Sequence, residues 1–199
     1  MKAKHINFDF EKSLKRIDSI LNEENEYKES NNIPSVENLT YKNGEYVKCA
    51  SLFIDLRGST DLIENQGKKS RSLARIYRAY ISEIIAIANS FKTCKEINIV
   101  GDCVSAMFAG NNEEAESPVI EALQAASMSN AMMKVLNVKY QKKWDNLDEI
   151  KAGIGVALGR ALVIKAGFSG SGIEELVYMG DVVNRASKMC GLAYKEYNS

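Results

Sequence analysis

Histidine is almost absent from the chain: His5 is the only one, and it lies in a charged N-terminal segment. A single histidine excludes Ser-His-Asp and Cys-His mechanisms, and also metal sites that need several histidines. No run approaches the ~20 apolar residues that cross a bilayer, and residues 1–16 lack the apolar core of a signal peptide. The formal net charge is zero, so the basic field of duplex nucleic-acid binders is missing too. We therefore expect a cytoplasmic protein that binds neither membranes nor nucleic acids.

Cysteine is scarce as well, and no two cysteines form a C-x-x-C pair. We interpret the four as reduced, buried thiols in preference to disulfides or a zinc site. They are Cys49, Cys94, Cys103 and Cys190. With 199 residues, 45% of them hydrophobic, the chain can bury a core without such cross-links.

Hydrophobic periodicity predicts an α+β fold. An amphipathic helix over residues 8–24 leads into a polar stretch, residues 22–32, that has the composition of a linker. Strand, helix, hairpin, helix and strand follow, with an additional strand and helix at the end. Their ranges are 46–56, 69–92, 96–110, 118–139, 150–168, 173–179 and from 181 onward. The order fits a ferredoxin-like βαββαβ sandwich, so we divide the chain into an N-terminal helix and linker, 1–45, and a main domain, 46–199.

Two aspartates occupy positions where a carboxylate is unfavourable unless it is paired or bound to a cation. Asp55 ends an apolar strand, and Asp102 lies at the tip of the predicted hairpin. Alone, each would be interpreted as a helix cap or a turn residue. Together, at neighbouring strand ends and beside a glycine turn that begins a helix, they indicate metal-phosphate chemistry. The candidates for phosphate binding are Arg57, Gly58, Ser59 and Thr60.

Three segments resemble motifs of the class III adenylyl and guanylyl cyclases, in family order and spacing. FIDLRGST, residues 53–60, resembles F-x-D-[IL]-x-G-[FS]-T, and residues 100–106 resemble [IV]-G-D-x-x-x-A. GDVVNRASK, residues 180–188, resembles G-x-x-V-N-x-A-S-R. The resemblance covers residues 47–195 approximately and implies the class III cyclase form of the ferredoxin-like sandwich.

The resemblance also implies a reaction: a nucleoside triphosphate becomes a 3′,5′-cyclic nucleotide and pyrophosphate, with two divalent metal ions, Mg²⁺ or Mn²⁺. Asp55 and Asp102 would hold these ions, assisted by the carbonyl of Ile54. Asn184 would orient the ribose. Lys188 replaces the usual arginine at the α-phosphate, which keeps the charge but loses the bidentate fork. Family sites form between two domains packed head to tail, which implies a homodimer with shared active sites.

Two positions that read adenine in adenylyl cyclases are different in this chain. Asn98 replaces the lysine, and Val177 replaces the Asp or Thr. Together with the N-terminal helix, this layout resembles the pyrimidine cyclases of bacterial Pycsar antiphage systems. That resemblance implies UTP or CTP as substrate, and a cyclic product that a separate cyclic-nucleotide-responsive effector reads during antiphage defence. Tyr46 is a candidate for shaping the base pocket, with an ordinary strand aromatic as the alternative.

Two alternatives stay open at this point. One is an ordinary adenylate cyclase, and the other is a cyclase-like module that binds a nucleotide without turnover. The family domain normally continues for a few more strands, one of which supplies a lysine to the triphosphate. We therefore expect the C-terminal end of the domain to be incomplete in this chain.

Overall fold

The computed structural model describes residues 5–58, 70–110, 117–144, 147–168 and 173–194. Its helices are α1 (Phe10–Asn22), α2 (Ser70–Asn89), α3 (Pro118–Lys143) and α4 (Asp181–Leu192), with a short 3₁₀ helix at Val36–Asn38. Its strands are β1 (Glu26–Ser30), β2 (Asn43–Leu56), β3 (Cys94–Val100), β4 (Cys103–Ala109), β5 (Ala152–Phe168) and β6 (Ile173–Met179).

The described strands form one six-stranded sheet in which β3, β4, β2, β5 and β6 are neighbours in that order. All pairs along this path are antiparallel, whereas β1 pairs in parallel with the first residues of β2. From β2 to β5 the chain runs strand, helix, strand, strand, helix, strand, with the first and third strands in the centre. The predicted ferredoxin-like α+β sandwich with an N-terminal helix is thus confirmed.

The central strand β2 is buried on both of its faces. Leu52 and Ile54 point to the core beneath α2 and α3, which we call the helix-pair face. Val47, Cys49 and Phe53 point to the opposite core beneath α4, which we call the α4 face. Because side chains alternate along a strand, odd-numbered residues of β2, including Asp55, belong to the α4 face. The sheet therefore assigns each candidate residue to one side of the molecule.

Helix α4 packs very closely on β5. A Cβ atom at Gly155 would overlap the main-chain oxygen of Ala186, so the helix can approach only because this strand residue is glycine. Val182, Ala186 and Cys190 form the buried side of α4, at the spacing of one helical stripe. The remaining side of α4 is therefore exposed in the single chain.

The N-terminal region differs from the sequence-based expectation. The linker prediction for residues 22–32 is wrong, because Glu26–Ser30 form β1 along the edge of β2. This strand has no apolar alternation, and an ion pair between Lys28 and Glu45, 3.1 Å long, joins it to β2. Strand β2 begins at Asn43 instead of residue 46.

Helix α1 forms as predicted but buries none of its residues in the described chain. Asp9 caps it by accepting a hydrogen bond from the main-chain nitrogen of Lys12 at 3.0 Å. Its apolar stripe, with Phe10, Leu14 and Ile17, is exposed. None of the described helices has the length and hydropathy that crossing a bilayer requires.

Candidate active site

The end of β2 and the β3–β4 hairpin bring Asp55 and Asp102 together. Asp55 is the next-to-last residue of β2, and Asp102 lies in the two-residue turn between β3 and β4. Because β2 and β4 pair as far as Ile54 and Val104, this turn lies beside the end of β2. Gly101 has a φ of 65°, a left-handed conformation that favours glycine and makes the tight turn possible.

The carboxylate of Asp102 makes the environment of Asp55 less favourable for a negative charge. Burial and the negative charge of Asp102 raise the pKa of Asp55, while the cation of Arg57 opposes that shift. The Oδ2 atom of Asp102 is buried and has no hydrogen-bond partner in the part of the chain that the structure describes. A cation stabilises a buried carboxylate oxygen that lies next to a second carboxylate. The pair therefore fits hard divalent ions such as Mg²⁺, which prefer oxygen ligands.

The described residues offer few ligands for such an ion. Across the described ranges, no group of three or more His, Cys, Asp or Glu side chains is arranged to hold a metal. Magnesium in nucleotide enzymes is commonly held by one or two carboxylates, with phosphate oxygens and water completing the shell. Asp55, Asp102 and the Ile54 carbonyl match that composition. The remaining ligands would come from a nucleotide.

Tyr80 of α2 contacts the candidate ligand from the core side. Its hydroxyl donates a hydrogen bond of 3.1 Å to the carbonyl of Ile54, and its side chain is completely buried. Burial, followed by the nearby charge of Asp55, raises the pKa of Tyr80, so the hydroxyl stays a donor. A carbonyl oxygen has two lone pairs, which leaves one for a cation. Sequence reasoning had no signal for this contact, because helical periodicity assigns Tyr80 only to the core.

The phosphate-binding candidates follow directly after β2. Gly58 has a φ of 66°, so the chain turns there in a conformation that favours glycine. Ser59 and Thr60 lie outside the described residues. The guanidinium of Arg57 donates a hydrogen bond to the main-chain oxygen of Cys190 and lies 3.3 Å from the Asp55 carboxylate. Its contact with phosphate stays a prediction.

Asn184 and Lys188 are neighbours on α4. They are four residues apart and therefore share one face of the helix, and both are exposed. Val182 and Ala186 form the opposite, buried face. The two polar side chains thus point away from the sheet of their own chain.

The base-recognition candidate Asn98 has a defined partner. It lies on β3, opposite Ser105 of β4, which is itself opposite Phe53 of β2, so Asn98 belongs to the α4 face. Its Nδ2 donates a hydrogen bond of 2.7 Å to Oε1 of Glu96. The other oxygen of Glu96 accepts a hydrogen bond from the hydroxyl of Tyr178 on β6. Sequence reasoning missed both of these residues.

Val177 and Tyr178 point in opposite directions from β6. Tyr178 packs against the core of the α4 face, whereas Val177 is 40% exposed and lies on the other face of the strand. Because side chains alternate along β6, Tyr178 lies on the same face of the sheet as Asn98, and Val177 lies on the opposite face. The part of Val177 in base recognition stays a prediction.

The structure does not bring Tyr46 to Asn98. Because Val47 points to the α4 face, Tyr46 points to the other one. There the guanidinium of Arg160 stacks 3.7 Å from its ring centroid, and Tyr27 makes an edge contact at 6.2 Å. These contacts give Tyr46 a place in the packing of β1, β2 and β5, and its part in base recognition also stays a prediction.

Comparison with known proteins agrees with this geometry. Residues 41–196 match the family described as the adenylate and guanylate cyclase catalytic domain. Over all 199 residues the chain is 75% identical to a uridylate cyclase from Gulbenkiania mobilis, and it covers 77% of that protein. Over 191 residues, 96% of this chain, it is 37% identical to a uridylate cyclase from Treponema porcinum, of which it covers 64%.

The fold also has a counterpart among solved structures. A class III adenylyl cyclase-like ATP-binding protein from Pseudomonas aeruginosa superimposes with a TM-score of 0.70. The match covers 90% of this chain and 40% of the other at 20% sequence identity, so it concerns the fold alone. Since the family match spans most of the chain and includes Asp55, Asp102 and α4, the chain belongs to the adenylate and guanylate cyclase catalytic domain family.

Proposed function

We propose that this chain is a pyrimidine nucleotide cyclase that converts UTP, or secondarily CTP, into the 3′,5′-cyclic nucleotide and pyrophosphate. One observation carries the reaction: Asp55 and Asp102 converge, and an oxygen of Asp102 is buried without a partner among the described residues. The 75% identity to a protein named uridylate cyclase, along the whole of this chain, supports the pyrimidine base.

Membership of the family implies dependence on divalent metal ions in general. We propose that two ions, Mg²⁺ or Mn²⁺, are held by Asp55, Asp102 and the Ile54 carbonyl. When bound, they lower the pKa of the ribose 3′-hydroxyl and neutralise charge on the triphosphate. The protein's contribution is to fix the two carboxylates on rigid elements, β2 and the hairpin, so that no reorganisation is needed at the moment of reaction. Arg57, Gly58, Ser59 and Thr60 are the proposed phosphate contacts.

The placement of α4 supports a homodimer with shared active sites. Asn184 and Lys188 point away from the sheet that carries their own Asp55. In a head-to-tail pair, Asn184 would orient the ribose and Lys188 would neutralise the α-phosphate at the partner's carboxylates. The exposure of Val100 at 77% and Met189 at 46% supports an interface at the hairpin and α4.

We further propose a cytoplasmic location and a second-messenger role in antiphage defence, in which a separate cyclic-nucleotide-responsive effector reads the product. The four free cysteines suit a reducing compartment. Asn98, Val177 and Tyr46 remain the proposed base contacts. Residues 1–45 and 46–199 remain the proposed division into an N-terminal segment and a catalytic domain.

Incubation of the chain with each of the four nucleoside triphosphates and Mn²⁺ tests the proposal. We expect cyclic UMP and an equal amount of pyrophosphate from UTP. Asp102→Asn should abolish product, and Asp18→Asn, at an exposed aspartate of α1, should keep it. Nucleotide binding without release of pyrophosphate would instead identify a binding module, and a preference for ATP would identify an adenylate cyclase.

A further inference from the structure

Glu96 connects two edge strands that are separated by the width of the sheet. It lies on β3, and the hydroxyl of Tyr178 on β6 donates to its Oε2 atom. Its Oε1 atom accepts from the amide nitrogen of Asn98 at 2.7 Å. Both carboxylate oxygens of Glu96 therefore have defined donors, and none of the proposed catalytic steps uses them.

Burial of Tyr178 determines which groups donate and which accept in this hydrogen-bond network. Burial, assisted by the hydrogen bond to Glu96, raises the pKa of Tyr178, so its hydroxyl keeps its proton and donates. An ionised carboxylate can only accept hydrogen bonds. The group of Asn98 that faces Glu96 must therefore be the NH₂ group, and the amide oxygen of Asn98 faces the other way. The network thus determines which end of the amide is presented outward.

The outward side of this network borders a cavity of about 430 Å³. Glu96 and Asn98 line it from β3, Glu175 and Leu176 line it from β6, and Pro34 lines it from the N-terminal segment. With its NH₂ group engaged by Glu96, Asn98 has its amide oxygen available as an acceptor for a ligand in this space. Uracil carries an N–H donor at ring position 3, whereas cytosine carries an unprotonated acceptor nitrogen there. An outward acceptor consequently favours uracil and opposes cytosine at that ring position.

We propose that Glu96, held by Tyr178, is a positioning residue that fixes the Asn98 amide with its oxygen outward and thereby selects UTP over CTP. This inference rests on the proposed cyclase function and names the residues that set its base preference. Glu96 acts through Asn98 and needs no contact with the substrate itself.

Glu96→Gln is the decisive substitution. A glutamine amide offers both a donor and an acceptor, so Asn98 can turn over and present its NH₂ group, which suits cytosine. We expect the ratio of kcat/KM for UTP to that for CTP to fall by about tenfold, mainly through KM, because one oriented hydrogen bond is exchanged. Tyr178→Phe releases one oxygen of Glu96 and should lower the ratio by a smaller factor. Glu11→Gln, at an exposed glutamate of α1 that does not line this cavity, is the matched control and should leave the ratio unchanged.

Binding of 3′-deoxy-UTP and 3′-deoxy-CTP, which lack the attacking hydroxyl, gives a readout that does not depend on turnover. An unchanged UTP-to-CTP ratio in Glu96→Gln, in both turnover and binding, would overturn the inference while leaving the cyclase function intact. Absence of cyclic product from every nucleotide would overturn the proposed function instead, and the binding ratios would still decide the role of Glu96. If thermal denaturation shows that Glu96→Gln is unfolded, Tyr178→Phe decides. Equal binding of both deoxynucleotides by the unmodified chain would also overturn the inference.

Discussion

The guanidinium of Arg57 donates a hydrogen bond to the main-chain oxygen of Cys190, in the last turn of α4. The same guanidinium lies 3.3 Å from the carboxylate of Asp55. The last carbonyls of a helix lack α-helical partners, and a cation beside them is favoured by the helix dipole. One side chain therefore joins the candidate metal ligand of β2 to the helix that carries Asn184 and Lys188.

Replacing Arg57 with alanine should affect both stability and turnover. The Cys190 carbonyl loses a charged donor, and we expect the free energy of unfolding to fall by about 1–2 kcal/mol. Turnover should fall as well, because Asp55 loses its neighbouring cation and α4 loses an anchor. Urea denaturation and cyclic-nucleotide assays measure the two effects. Arg78→Ala, an exposed arginine on α2, is the control, and equal behaviour of the two variants would contradict the linking role of Arg57.

Tyr80 and Tyr140 form a matched pair for testing the metal site. Each buried hydroxyl donates to a main-chain oxygen, Tyr80 to Ile54 at 3.1 Å and Tyr140 to Ile76 at 3.0 Å. Tyr80→Phe and Tyr140→Phe should therefore destabilise the chain by similar amounts, about 1 kcal/mol each. Only Tyr80→Phe should raise the Mn²⁺ concentration that gives half-maximal activity, because only Ile54 is a proposed ligand. If the Mn²⁺ requirement shifts in both variants, or in neither, the hydrogen bond of Tyr80 does not contribute specifically to metal binding.

Local sequence patterns were sufficient for the order of elements. The apolar run of β2, the Gly101-Asp102 turn and the helical stripe of α2 each depend on neighbours only a few residues away. The βαββαβ order follows from them, and so does the ferredoxin-like strand arrangement. The same local information placed Asp55 and Asp102 at one end of the sheet, because Asp55 lies at the end of β2 and Asp102 lies in the turn after β3.

The contacts that the sequence could not predict join residues far apart in the chain. Arg57 and Cys190 are separated by 133 positions, and Glu96 and Tyr178 by 82. No local period encodes such pairs, because they depend on how the sheet curls and how closely α4 packs at Gly155. Strand β1 was missed for a different reason: its sequence, EYKES, is polar and exposed at four of its five positions, so it has no apolar pattern to detect.

Cys49 makes the free energy of unfolding decrease with rising pH in the alkaline range. Burial raises the pKa of its thiol to about 11, above the value of 9.0 for an exposed cysteine. Between these two values the unfolded chain loses a proton that the folded chain keeps, so stability is complete below pH 9.0 and declines above it. The contribution of Cys49 to that decline is at most about 1.4 kcal/mol per pH unit. Urea denaturation at several pH values from 8.5 upward should therefore show a shallower loss in Cys49→Ala than in the unmodified chain.

Val47→Ala serves as the comparison for Cys49→Ala. Val47 is equally buried on the same strand but has no titratable group. Its alanine variant should lose a constant amount of stability at every pH and run parallel to the unmodified chain. If Cys49→Ala also runs parallel, the thiol does not titrate differently in the folded and unfolded states, and the prediction is wrong.

Mixing two inactive variants tests the shared active site. Asp55→Ala removes a metal ligand, and Asn184→Ala removes the proposed ribose contact, so each homodimer should be inactive. A heterodimer of the two has one site with both defects and one site with neither. With equal amounts and free exchange of chains, activity should return to about a quarter of the unmodified level. Mixing Asp55→Ala with Asp102→Ala puts a defect in both sites and should restore nothing. Failure of the first mixture, although mass spectrometry detects heterodimers, would place Asp55 and Asn184 in the same chain's site. Rescue by the second mixture would place the two aspartates of one site on different chains, and either result would contradict the proposed arrangement.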